Sequence, residues 1–187
     1  MILRVVCLFT AFFLAACAGS GSGKRYYVLT PDGPAPSGGG TGLGVGPVSL
    51  AAYIDRPNLI VQQGPNELAV ASDHQWAGDL EDNIARTMAA NLGRRLKTGN
   101  VRTYPWQRDN EIRYQISLDV RQLHSAADGY AVIEAGWRVY QLPERKLITS
   151  RSFSGREALG QDGYQAMVAA QSALLSAWAR EIAGSLR

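Results

Sequence analysis

The chain has 187 residues, with 19 Lys and Arg against 16 Asp and Glu for a formal net charge of +3, and only two cysteines and two histidines. Charge this small and mixed excludes the broad basic surface of a nucleic-acid binder, so no nucleic-acid partner is expected. The length excludes two large domains but suffices for one with a sizeable core. Cys7 and Cys17 both lie at the extreme N-terminus, which excludes a disulfide or a cysteine-rich metal site in the body of the chain.

Met1 to Arg4 lead into an apolar run from Val5 to Phe13, about as long as a signal-peptide core and well short of the ~20 residues of a membrane span. The run ends in Leu14-Ala15-Ala16-Cys17, which resembles a bacterial lipobox. On that reading residues 1–16 are a lipoprotein signal peptide, Cys17 becomes the first mature residue and carries acyl chains, and residues 17–24 are a flexible Gly/Ser tether. The other reading is a plain secretory signal with an incidental cysteine. One acyl chain binds a bilayer marginally and two or more bind stably, so a fully acylated Cys17 would hold the protein on one leaflet. In bacterial lipoproteins an Asp after the cysteine marks retention at the inner membrane; Ala18 stands there instead, favouring the periplasmic face of the outer membrane.

Residues 25–187 read as a single globular domain. Lys24 to Thr30 is a short strand stopped by Pro31-Asp32-Gly33-Pro34, and the Gly/Pro-rich stretch 31–44 is a loop before extended structure resumes over Val45 to Tyr53. Glycines at 40, 42, 44 and 46 match no phosphate-binding pattern, which leaves them as linker. Tyr53-Ile54-Asp55-Arg56-Pro57 is a turn, followed by strands at Leu59 to Gln63 and Glu67 to Ala71 around Gly64-Pro65-Asn66. Trp76, Leu80, Ile84, Met88, Leu92 and Leu96 recur every four residues, predicting an amphipathic helix capped by Asp73 and ending near Lys97. After Val101 to Tyr104 and a Pro105-Trp106 corner, Ile112 to Arg121 alternates apolar and polar residues. With Tyr130 to Leu142 and Leu147 to Phe153 it forms an antiparallel meander. A last helix, capped by Asp162, aligns Tyr164, Val168, Gln171, Leu175, Trp178 and Ile182. Strands, helix, strands and helix in this order predict an α+β two-layer sandwich, an antiparallel or mixed sheet with two main helices packed on one face.

Catalytic equipment is sparse. His74 and His124 fall in different elements, no thiol remains after Cys17, and adjacent Glu81 and Asp82 diverge on a helix. No catalytic residue, metal or cofactor is expected. Asp73, His74 and Asp79 are readable as metal ligands or, more simply, as helix-capping carboxylates beside a histidine. Arg94, Arg95 and Lys97 read as a solvated helix end complementing the dipole, or as a contact for lipid phosphate or a partner.

The lipobox at Cys17, Tyr26-Tyr27-Val28-Leu29, Val45-Gly46-Pro47-Val48, Tyr53-Ile54-Asp55-Arg56-Pro57, Trp76 ahead of Asp79-Leu80, and Pro105-Trp106 together resemble the PqiC-type ABC-transport auxiliary lipoproteins, in order over nearly the whole chain. The resemblance implies a non-enzymatic outer-membrane lipoprotein. It would work with an MCE-domain protein that bridges the periplasm and, through it, with an inner-membrane permease, moving lipids between membranes and maintaining the envelope. It also implies self-association. Tyr53, Asp55 and Arg56 are the candidate partner contacts, because an aromatic beside an arginine on a rigid turn suits recognition. The competing reading makes Asp55 and Arg56 structural, satisfying the local backbone or each other. A lipid- or small-molecule-binding envelope lipoprotein without an MCE partner is the alternative function; it requires a pocket with convergent polar groups.

Overall fold

The computed structural model describes residues 23–36, 38–107, 111–126 and 128–186; the signal, Cys17 and the tether up to Ser22 lie outside them. The sheet is built on the strand whose alternation was clearest, Ile112–Ala126 (β6). Along one edge it pairs antiparallel with Tyr130–Gln141 (β7), which pairs antiparallel with Lys146–Ala158 (β8). This is the expected meander. Its other edge is shared. Gly42–Leu50 (β2) runs parallel to it from Ile112 to Val120, and Asn58–Gly64 (β3) then takes over at Ser125 and Ala126. The turn from Ala51 to Pro57 bridges the fork, where β6 carries an irregularity between Val120 and Gln122. Glu67–Trp76 (β4) is antiparallel to β3, Arg25–Tyr27 (β1) is parallel to β4, and Val101–Thr103 (β5) is parallel to β2, completing a mixed eight-stranded sheet.

Two helices cover one face, as the α+β reading requires. Leu80–Leu96 (α1) packs on β2 and β5, Tyr164–Gly184 (α2) packs on β6, β7 and β8, and the helices pack on each other. The predicted stripes are the buried ones: Leu80, Ile84, Met88 and Leu92 from α1, and Val168, Gln171, Leu175, Trp178 and Ile182 from α2. They meet Ile133, Ala135, Trp137 and Val139 of β7. Trp178 stacks on Phe153 of β8 at 6.4 Å and 12°. Each such side chain removed from water contributes about 1.5–3 kcal/mol, so the helix-to-sheet core is a substantial source of stability.

Several boundaries differ from expectation, each for a local reason. Trp76 belongs to β4, not to the helix: it pairs with Tyr27, and its N–H donates to the Pro57 carbonyl at 2.7 Å. The period of four continued into the strand because Trp76 enters the same core from a different element. Gly78, at φ 102°, makes the break that only glycine adopts without strain. Asp73 therefore lies in β4 and not at the helix start; the N-cap position is Asp79, with no side-chain capping bond. The cap of α2 is Gly163, not Asp162. The end near Lys97 stands as expected, with that residue in the left-handed conformation. β2 starts at Gly42, inside the stretch expected to be loop, and its glycines are packing devices: a Cβ on Gly44 would lie 2.6 Å from the Trp106 ring.

Candidate functional site

The turn at the fork holds its shape with its own main chain. Ala51 N–H donates to the Val120 carbonyl, Ile54 and Asp55 N–H both reach the Ala51 carbonyl, and Arg56 N–H donates to the Ile54 carbonyl at 2.8 Å. Ile54, 1% exposed, plugs the core beneath. Tyr53 is half-buried, its ring 6.3 Å from His124. Burial, reinforced by the Glu134 carboxylate, pushes the Tyr53 phenol up from its ordinary value, and burial pulls the His124 imidazole down, opposed by a backbone bond at Ser125. Asp55 and Arg56 are exposed, and among the described residues neither side chain makes a hydrogen bond or ion pair. The structural roles weighed for them, with each other or with the local backbone, are thus not the ones they play. The turn presents an anion and a cation side by side on a rigid base.

The potential ligand set of Asp73, His74 and Asp79 is not assembled. His74 Nδ1 and the Tyr27 hydroxyl share a 2.7 Å hydrogen bond, and the His74 ring stacks on Tyr164 at 3.6 Å. Asp73 accepts from Ser72 Oγ, and no group of three metal-binding side chains occurs among the described residues. This aromatic stack floors an open cleft of about 870 Å³ between β1 and the start of α2, rimmed by Arg25, Tyr26, Val28 and Gln165. Of the basic residues ending α1, Lys97 is exposed, as the solvated reading expects, while the half-buried Arg94 and Arg95 are engaged in a clamp. Arg94 donates to the Asp32 carbonyl at 2.9 Å, and Arg95 reaches Ser176 Oγ at 2.6 Å and the Asp32 carboxylate at 3.5 Å.

That clamp is the feature sequence reasoning missed. Residues 29–32 form no ladder, yet their backbone is satisfied by side chains from both helices. Leu29 N–H donates to Asn83 Oδ1, Thr87 Oγ donates to the Leu29 carbonyl, Thr30 N–H donates to Ser172 Oγ, and Asp32 N–H donates to Asn91 Oδ1. Ser176 Oγ donates to the Asp32 carboxylate at 3.1 Å. The signal was present: Asn83, Thr87 and Asn91 recur every four residues beside the apolar stripe, and Ser172 and Ser176 repeat that spacing on α2. Buried polar side chains need partners, and here they find an unpaired backbone.

No helix among the described residues is long and apolar enough to cross a membrane. A forked mixed sheet with two helices on one face, carrying a clamped N-terminal segment and a charged turn, makes this an α+β module of one sheet and one helix layer. The chain belongs to the family described as ABC-type transport auxiliary lipoprotein component, which matches residues 27–183. It is similar to the intermembrane transport lipoprotein PqiC of Escherichia coli K12, 24% identical over 177 residues that cover 92% of this chain and 90% of the relative, and equally to that of Shigella flexneri. Among solved structures, a crystal structure of an uncharacterized protein superposes with a TM-score of 0.74 at 21% identity, covering 88% of this chain and 99% of that one. A Xanthomonas campestris protein gives 0.66 at 23%, covering 86% and 93%. These two likenesses establish the fold.

Proposed function

We propose that this protein is a non-enzymatic accessory lipoprotein of an intermembrane lipid transport system, held at the periplasmic face of the outer membrane, where it docks an MCE-domain partner and, through it, an inner-membrane permease. Residues 1–16 are the signal peptide, Cys17 carries the lipid, residues 17–24 tether, and residues 25–187 fold as one domain that self-associates. The observation that carries this reading is the family match over residues 27–183, joined to the name of the relatives, intermembrane transport lipoprotein. The partner contact is the turn at Tyr53, Asp55 and Arg56, supported by the two charged side chains left free on a backbone held by its own main-chain hydrogen bonds. No cofactor takes part.

The test is crosslinking in intact cells from a photoreactive residue at Arg56 and, as control, at Ser152 of β8, followed by mass spectrometry. Recovery of an MCE-domain protein from position 56 alone supports docking at the turn. Efficient crosslinking of a known envelope complex in the same cells, with no such protein from either position, sinks it. The second reading, a lipid- or small-molecule-binding lipoprotein acting alone, is favoured by the cleft of about 870 Å³ at His74 and Tyr164. It predicts a molecule co-purifying with the protein and lost when the cleft is filled by Ala169→Trp.

A further inference from the structure

β1 is one edge of the sheet and the first described element after the tether, and its two faces differ sharply. Tyr27 packs on the core and Leu29 is buried, whereas Tyr26 and Val28, alternating with them, are 62% and 53% exposed. Lys24 and Arg25 precede them and are exposed. The start of α2, which lines the same cleft, has no acidic residue in its first turn, so its positive dipole end adds to these two cations. Exposed Asp162 works against them, as does half-buried Asp73, next to the His74 that pairs with Arg25. An exposed aromatic and a branched apolar side chain beside two cations is the composition that seats at a bilayer interface of anionic phospholipid, the ring at the headgroups and the cations against the phosphates.

Chain length makes that surface the available one. Lys24 is the seventh residue after Cys17, a span of at most about 25 Å even when fully extended. A lipid on Cys17 would keep Lys24 within that distance of the leaflet and Val28, four residues further on, within about 40 Å, at an effective concentration where a patch too weak to bind alone is occupied.

We infer that Lys24, Arg25, Tyr26 and Val28 form a second membrane contact, which lays the β1 end of the domain on the anionic leaflet that carries its lipid anchor. The inference rests on the proposed acylation of Cys17. Its consequence is orientation: Tyr27 pairs with Trp76, whose N–H bonds the Pro57 carbonyl, so the charged turn begins two strands, about 10 Å, from the seated edge. The contact holds that turn close to the membrane.

The test uses the full-length protein, purified with its lipid and reconstituted in phosphatidylcholine vesicles containing roughly a quarter phosphatidylglycerol and a nitroxide headgroup lipid. A fluorophore is placed on Val28→Cys or, as control, on Ser150→Cys of β8, both exposed. Mass spectrometry of the N-terminal peptide reads acylation separately. The expected result is quenching at position 28 at least about twice that at position 150, with the difference abolished by Lys24→Glu with Arg25→Glu and reduced by high salt. Equal quenching of the two positions in acylated, vesicle-bound protein overturns the contact and leaves the anchor standing. A difference that survives charge reversal and grows with protein density overturns it in favour of pairing between copies. An unacylated Cys17 with protein left in the supernatant overturns the anchor, and the contact with it.

Discussion

Residues 29–32 and residues 51–57 are both irregular, both adjoin the sheet and both need their backbone groups satisfied, yet they solve the problem in opposite ways. The first segment borrows side chains: Asn83, Thr87 and Asn91 from one helix and Ser172 and Ser176 from the other are consumed in holding it. The second uses main chain only, with Ile54 as its hydrophobic plug, and so leaves Asp55 and Arg56 uncommitted. A segment that spends side chains on its shape serves architecture, and one whose shape costs no polar side chain has them to offer elsewhere. The difference separates a strap held by side chains from a turn whose two charged side chains are uncommitted.

The sharpest way to break the contrast is to remove the plug. Ile54→Ala leaves a cavity under the fork and is expected to cost about 2–5 kcal/mol, read as a drop in the urea midpoint with an unchanged slope. Next is the strap: Asn83→Ala orphans the Leu29 N–H in a buried position and should cost about 1–3 kcal/mol, with amide exchange accelerated at Leu29 more than in β7. A smaller effect comes from pH. His124 has its imidazole pKa depressed below the ordinary 6.5 by burial, so near that pH the unfolded chain takes a proton that the folded one refuses. Its contribution is full above pH 6.5 and is lost as pH falls through 6.5 toward the folded pKa. His124→Gln should therefore flatten the stability profile between pH 7 and 5.5, and a variant with the wild-type slope would show that other groups dominate. Smallest is the double change Asp55→Ala with Arg56→Ala, expected to alter stability by less than about 0.5 kcal/mol because neither side chain has a partner to lose. A loss of several kcal/mol there would place the turn with the strap.

Most of the fold was legible because its elements obey simple periods. The meander from β6 to β8 follows from strict alternation, and both helices follow from four-residue spacing of residues that are in fact buried. Trp76 shows the limit of that logic, since periodicity reports which residues enter the core and not which element delivers them. The forked edge of β6 was out of reach: the alternation was read from Ile112 to Arg121, and the pairing with β3 falls beyond it, at Ser125 and Ala126. The candidate turn was found from residue type alone, but the freedom of Asp55 and Arg56 needed the hydrogen-bond pattern of the whole turn. The polar stripe on α1 was overlooked because attention to apolar periodicity treats an interleaved Asn or Thr as surface.

The shared edge also bears on how the chain comes to be. Strands β1, β3 and β4 can pair among themselves, and β2 can pair with β5, but among the described strands only β6 joins the two groups. A polypeptide appearing N-terminus first therefore presents two separate islands of sheet, with open edges and uncovered apolar faces, until Ala126 has emerged, and the cover from α2 arrives last of all. Such a chain has a long interval in which aggregation competes with closure, and a holding chaperone has most to do before the second half appears. A fragment ending ahead of Ile112 would lack the strand that joins the two parts of the sheet and the helix that covers β6, β7 and β8.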